Sequence, residues 1–205
     1  MATPLSIPLI QTGSEGATML GNFVLGLYRG LDRADKRPKT WREEVEKYYG
    51  ATGPVPEHKM TWCYATGMHY VSEDVKAPHI VPFFLRHTDA GDELFGSRGP
   101  ELREPSNALL LLSRIKSWFD QHFLIIVPVD PNETPKITRW KIELIEKSVA
   151  NTPYSGQGRD GGFSRGHELD GKELKFLNAA RPASIFLYFR FIMTLVRIRD
   201  LQRPG

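Results

Sequence analysis

The sequence predicts an α+β fold, and three observations carry the prediction. Two short extended stretches, 60–65 and 70–75, flank a turn signal at Thr66-Gly67. A third extended stretch ends at His79, with Pro78 and Pro82 holding it on either side. Segments of helical period lie before and after these strands, at 40–49, 113–120 and 182–201. With 205 residues and 40% hydrophobic content the chain is large enough for one domain with an adequate core.

Taken in order, residues 1–16 carry Pro, Ser, Thr and Gly and read as an arm. Met19, Leu20, Phe23, Val24, Leu27 and Tyr28 are spaced for a helix over 18–32. Thr40 with Glu43 three residues later is a capping-box pattern for a helix through Tyr49. Residues 50–56 are a turn region. The stretch 86–104 is polar, contains Gly91, Gly96 and Gly99, and reads as a loop. Ser113 is placed to cap a helix carrying Lys116, Trp118, Phe119 and Asp120. Lys116 and Asp120, four apart, can pair on its surface.

Residues 155–171 are glycine-rich. Gly156, Gly158 and Gly161 match G-x-G-x-x-G, but no buried strand leads into a helix there, so the dinucleotide-binding reading fails on context. The last helix, 182–201, has Phe186, Phe189, Ile192 and Met193 and is expected to be mostly buried.

Composition removes several function classes. The net charge of +3 is mild, and acidic residues interleave with basic ones through 42–47. No dense basic stripe with aromatic spacing marks a nucleic-acid surface. One cysteine, Cys63, excludes an intrachain disulfide and a cysteine-rich zinc site; it reads as a buried small hydrophobe. The first ten residues lack a basic segment and a long apolar run. The longest apolar run, 185–196, contains Arg190 and is shorter than the roughly 20 residues a membrane span needs. A soluble, cytoplasmic protein without a membrane span is the expectation.

Two segments carry the chemistry. One is Cys63-Tyr64-Ala65-Thr66-Gly67, followed by Lys76-Ala77-Pro78-His79-Ile80-Val81-Pro82. The other is Asn107-Ala108-Leu109-Leu110-Leu111, followed by Lys116-Ser117-Trp118-Phe119-Asp120. Their order and spacing resemble the HNH nuclease-like family, the ββα-metal fold. The resemblance is to the branch read as C-x-x-T-G, E-x-A-H-I-x-P, N-G-L-x-L and H-x-x-F-D. The stretches 123–129 and 140–145 are similar to the strands that follow the helix in a fungal HNH-domain group. The stretches 176–182 and 187–191 are similar to that group's closing helix, with Arg190 at a histidine position.

The resemblance implies a ββα core within an HNH-like domain at 56–205, preceded by an arm and helical extension at 1–55. It implies that His79 serves as base or hydrogen-bond donor, that Asn107 braces the loop carrying it, and that Asp120 and Cys63 give structural support. The family's metal ligands, however, fall on Lys76 and Lys116. Lysine has three donors and no lone pair until it loses a proton. Metal chemistry is therefore expected to be lost unless Glu73, Asp74 or Asp120 supplies a ligand.

The leading expectation is a metal-independent, cofactor-free enzyme of biosynthesis acting on a small molecule. Cyclisation or isomerisation, including a cycloaddition of the Diels–Alder type, fits a cleft that is cationic and apolar. His79, Lys116 and Asn107 are the candidate catalytic group; Lys76, Arg190, Trp118 and Phe83 are candidate substrate contacts. A metal-dependent HNH endonuclease and a non-catalytic nucleic-acid or protein binder are the alternatives.

Overall fold

The computed structural model describes residues 40–53, 59–156 and 163–201. The arm, the 18–32 helix and the centre of the glycine-rich segment lie outside them.

Helix α1 (Trp41–Tyr49) buries Trp41, Val45 and Tyr49, which share one face at a spacing of four. The helix forms where the sequence places it, but the Thr40 hydroxyl caps nothing. Its fixed end is the C-terminus. Gly50 takes a left-handed φ of 61°, and Ala51 N–H returns to Glu46 O at 2.9 Å. Strand β1 (Met60–Cys63) pairs antiparallel with β2 (Met68–Val71), and Gly67 at φ 70° closes the turn between them.

Strand β3 (Val75–Lys76) pairs antiparallel with β4 (Leu111–Leu112). The pairing continues past the strand ends. Leu109 N–H donates to Pro78 O at 3.3 Å, His79 bridges Ala108, and Ile80 N–H donates to Asn107 O at 2.9 Å. Helix α3 (Ser113–Asp120) follows β4 without a break. Ser113 does not cap it, because its hydroxyl donates instead to Asp74 O at 2.8 Å, tying the helix start to the turn before β3.

The polar stretch expected as a loop is folded. It forms a 3-10 turn at Phe83–His87, a short helix α2 (Asp89–Phe95) and a further 3-10 segment at Gly96–Arg103. The Thr88 side chain caps α2 by accepting from Gly91 N–H at 3.1 Å. Gly91 lies so close to the preceding turn that a Cβ there would sit 1.9 Å from Leu85 O. A glycine that reads as loop punctuation is here a close-packing residue.

Beyond α3, β5 (Leu124–Pro128) pairs antiparallel with β6 (Trp140–Leu144), and β7 (Pro153–Ser155) with β8 (Ser164–Arg165). Among the described residues all four sheets are two-stranded and antiparallel, so the fold is mixed helix and small sheets, compatible with α+β. Helix α4 (Ser184–Leu201) packs on β5. It is less buried than expected: Phe186, Leu187 and Met193 are inside, whereas Tyr188 and Leu195 are exposed. No helix among the described residues is long and apolar enough to cross a membrane.

His122 sits where α3 hands over to β5, at a left-handed φ of 62°. It is buried, and its Nδ1 meets Thr194 Oγ1 on α4 at 2.6 Å. Burial, then the charges of Arg190 and Arg197, push its pKa down to about 3. An ordinary imidazole titrates near 6.5. Between those values the unfolded chain holds a proton that the folded chain refuses. Stability should therefore fall as pH drops from about 6.5 toward 3, by up to about 1.4 kcal/mol per pH unit from this group. His122→Asn tolerates the left-handed backbone and removes the titration. Urea midpoints at pH 7.5 and pH 5 should differ less in that variant than in the parent.

Candidate functional site

The paired ribbon is the platform for His79. Helix α1 clamps both of its strands from one side. Trp41 Nε1–H donates to Ala77 O at 3.1 Å on the first strand, and Tyr49 O–H donates to Ala108 O at 3.1 Å on the second. These carbonyls flank the His79 position. The His79 ring stacks on Trp41, with centroids 4.0 Å apart and planes 17° from parallel. On its other neighbour, Phe83, the centroid distance is 5.8 Å and the planes differ by 32°. Two aromatic contacts thus fix the plane of a half-buried imidazole.

Asn107 is fully buried, and its whole amide is used. Oδ1 accepts from Val81 N–H at 2.9 Å, and Nδ2 donates to Val81 O at 2.9 Å and to Leu102 O at 3.0 Å. Its own carbonyl takes the Ile80 N–H. The side chain therefore ties Val81 to Leu102 near the end of the 3-10 segment, and the main-chain carbonyl holds Ile80. Both donors and the acceptor are matched, which fixes the amide orientation.

The two lysines are engaged elsewhere. Lys76 is exposed, and its Nζ donates to Glu73 O at 2.6 Å. Lys116 forms an i,i+4 ion pair with Asp120 on α3, both partly exposed. The Glu73 and Asp74 side chains are exposed. Arg42 holds this turn from α1: it donates to Val75 O at 2.8 Å and to Ser72 O, and pairs with Glu46 at 2.8 Å.

Trp118 and Arg190 are buried in contacts of their own. Trp118 lies on the inner face of α3, edge-on to Tyr154 at 6.4 Å. Arg190, 8% exposed, places its guanidinium 4.6 Å over the Phe119 ring and donates to Phe119 O. It anchors α4 to the C-terminal end of α3, where a cation suits the helix dipole. Cys63 is buried, and its Sγ accepts from Leu112 N–H at 3.4 Å; burial pushes its thiol pKa up.

Two cavities open beside these elements. One, of about 560 Å³, is lined by Tyr70, Asp74, Ser113, Arg114, Ser117 and Tyr154. Its Ser113 and Ser117 lie on the same helix as Lys116, and burial lifts the Tyr154 phenol to about 12. The other, of about 500 Å³, lies between the β5–β6 hairpin and α4 and is lined by apolar residues such as Ile126, Trp140 and Phe191. His79 and Lys116 line neither of the two.

Residues 63–127 match the family model described as HNH endonuclease. This segment is HNH-like. The match runs from the last residue of β1 into β5 and takes in the ribbon, His79, Asn107 and α3. No curated protein matches the chain, and no solved structure does.

An HNH-type site implies a divalent cation, and the residues present do not fit one. Positions 76 and 116, which the sequence resemblance assigns to the ligands, hold ammonium groups, the second paired with Asp120. Among the described residues no group of three or more His, Cys, Asp and Glu side chains gathers closely enough to hold a metal ion. Glu73, Asp74 and Asp120 do not converge with a histidine into such a group.

Sequence reasoning passed over Trp41 and Arg42. The signal for Trp41 was the 41, 45, 49 apolar stripe, which marks the face that α1 buries. Asn107→Ala should be costly, because it leaves the Val81 amide and two carbonyls without their partner. Each unmatched buried group costs about 1–3 kcal/mol. A loss of roughly 3 kcal/mol or more is expected in urea unfolding, with the Ala variant of exposed Lys76 close to the parent.

Proposed function

We propose that the chain is an HNH-like scaffold that acts on a small molecule without a catalytic metal, by cyclisation or isomerisation. In this reading the 75–80 and 107–112 ribbon with α3 is the ββα core. The observation that carries it is the pair of lysines at the ligand positions, Lys76 engaged with Glu73 O and Lys116 with Asp120. An ammonium group repels a cation and attracts an anion or a polarised oxygen. The site has changed the sign of what it attracts.

The chemistry that remains is donor chemistry. The His79 imidazole and the Lys116 ammonium can each hydrogen-bond a substrate carbonyl or carboxylate and stabilise charge that builds on oxygen. Fixed aromatic rings beside His79 can hold a flexible apolar substrate in a reactive conformer. Rearrangement or cycloaddition conserves all substrate atoms and electrons, so neither an oxidant nor a co-substrate is called for. Asn107 touches no substrate in this reading; it positions the segment after His79.

Supercoiled plasmid should survive incubation with the protein in Mg²⁺, Mn²⁺ or Ni²⁺. Cleavage that disappears in chelator and in His79→Ala would defeat the proposal. On a small-molecule substrate that the protein turns over, chelator should leave kcat/KM unchanged. Lys116→Met and His79→Ala should each lower it by about 10²–10³, the usual loss for one positioned donor. Near-parental rates in both, with folding verified by circular dichroism, would rule out the cationic mechanism.

A further inference from the structure

The cavity between the β5–β6 hairpin and α4 has walls that the fold holds in place by itself. Pro128 faces Trp140 across the ladder, and Ile126 stands two residues along on the same face; all three line the cavity. Helix α4 contributes Ile185, Tyr188 and Phe191. The 129–139 connection adds Pro131 and Ile137. That connection is braced at both ends. Val129 N–H donates to Arg139 O at 3.0 Å, Thr138 N–H to Glu133 Oε2 at 2.9 Å, and Arg181 Nε–H to Thr138 O at 2.8 Å. The volume of about 500 Å³ falls within the range of small-molecule sites, about 300–1,000 Å³.

One buried donor in this wall has nothing to bond. Trp140 is 3% exposed, and its Nε1–H meets no acceptor among the described residues. The indoles of Trp41 and Trp62 show the contrast, donating to Ala77 O at 3.1 Å and to Lys175 O at 2.6 Å. An unmet buried donor is costly, and one in a native fold calls for a physical reason. A water at the indole would need several polar partners of its own. Besides the indole, the lining side chains offer only the hydroxyls of Ser184 and Tyr188, and none of them carries a charge.

We infer that this cavity binds an uncharged, largely apolar small molecule whose carbonyl or other acceptor oxygen takes the Trp140 Nε1–H. The site does not depend on the small-molecule reading of the His79 frame, since neither His79 nor Lys116 lines it. The walls decide the class of ligand. A charged ligand would shed its hydration and find no counter-ion. A pure hydrocarbon would leave the indole unmet. A stable protein partner covers about 800 Å² on each side, more than the walls of one such cavity supply. Tyr188, 64% exposed, is the part of the lining that solvent reaches, and its ring stacks with Phe191 at 6.4 Å.

The probe is 2-acetylnaphthalene. Beside it are 2-isopropenylnaphthalene, in which CH₂ replaces the carbonyl oxygen, and the anion 2-naphthoate. The full chain is labelled with ¹⁵N and ¹³C, and the Trp140 indole signal is assigned through its own backbone. The ketone should move that signal saturably and leave the Trp41 and Trp62 indoles in place. The alkene should bind more weakly by roughly fivefold or more, the usual worth of one hydrogen bond, and the carboxylate more weakly than the ketone. Trp140→Phe should bring ketone and alkene together. Where that variant fails to fold, Tyr188→Ala keeps the test, because Tyr188 is exposed; it should weaken the ketone by roughly threefold or more. Equal binding of ketone and alkene by the parent, or parental ketone binding in Tyr188→Ala, overturns the site. So does a Trp140 signal that moves with protein concentration and not with ketone, which would give this face to a second copy of the chain.

Discussion

One buried amide sets the geometry on which the rest depends. Asn107 spends every donor and acceptor of its side chain on Val81 and Leu102, and its main-chain carbonyl on Ile80. These bonds fix the chain directly after His79, and the ribbon pairing fixes the chain directly before it. The histidine thereby sits on a backbone hydrogen-bonded on both sides. Such an amide is costly to leave half satisfied, so the arrangement is close to all-or-none. Helix α1 adds the second restraint through Trp41 and Tyr49, whose hydrogen bonds reach carbonyls on both strands.

The frame and the charges at its edge have different histories in physical terms. The frame is a matter of packing and matched hydrogen bonds, and it persists whatever occupies the site. The charges decide what can approach. Lysine stands at positions 76 and 116, Lys76 bonded to Glu73 O and Lys116 paired with Asp120. The Lys116–Asp120 pair tempers that charge at α3, and as a partly exposed pair it contributes little to stability.

What was legible in the sequence was local. The helix at 41–49, the strands about Thr66-Gly67 and the helix after Leu112 follow from period and turn residues, and the structure has all three. The nearness of His79 and Asn107 follows from the family spacing. What was not legible depends on distant contacts. Trp41 meets His79 only because α1 folds across the ribbon, and no periodicity in either segment announces it. The stretch 86–104 is rich in glycine and charge, so it reads as a loop. The Thr88 cap and the tight approach of Gly91 to Leu85 turn it into helix. Arg190, expected as a substrate contact, reaches across to Phe119 at the end of α3, a contact that no local pattern announces. Ser113 has the look of a cap but bonds the preceding turn.

The central claim is that the two lysines are what keep a metal from this frame. Calorimetric titration of Zn²⁺ and Ni²⁺ into the parent and into the Lys76→Glu/Lys116→His double variant tests it most directly. The account predicts no stoichiometric binding by the parent and one equivalent bound by the variant, lost again when His79 is also replaced by Ala. One equivalent bound tightly by the parent, and lost in His79→Ala, would contradict it.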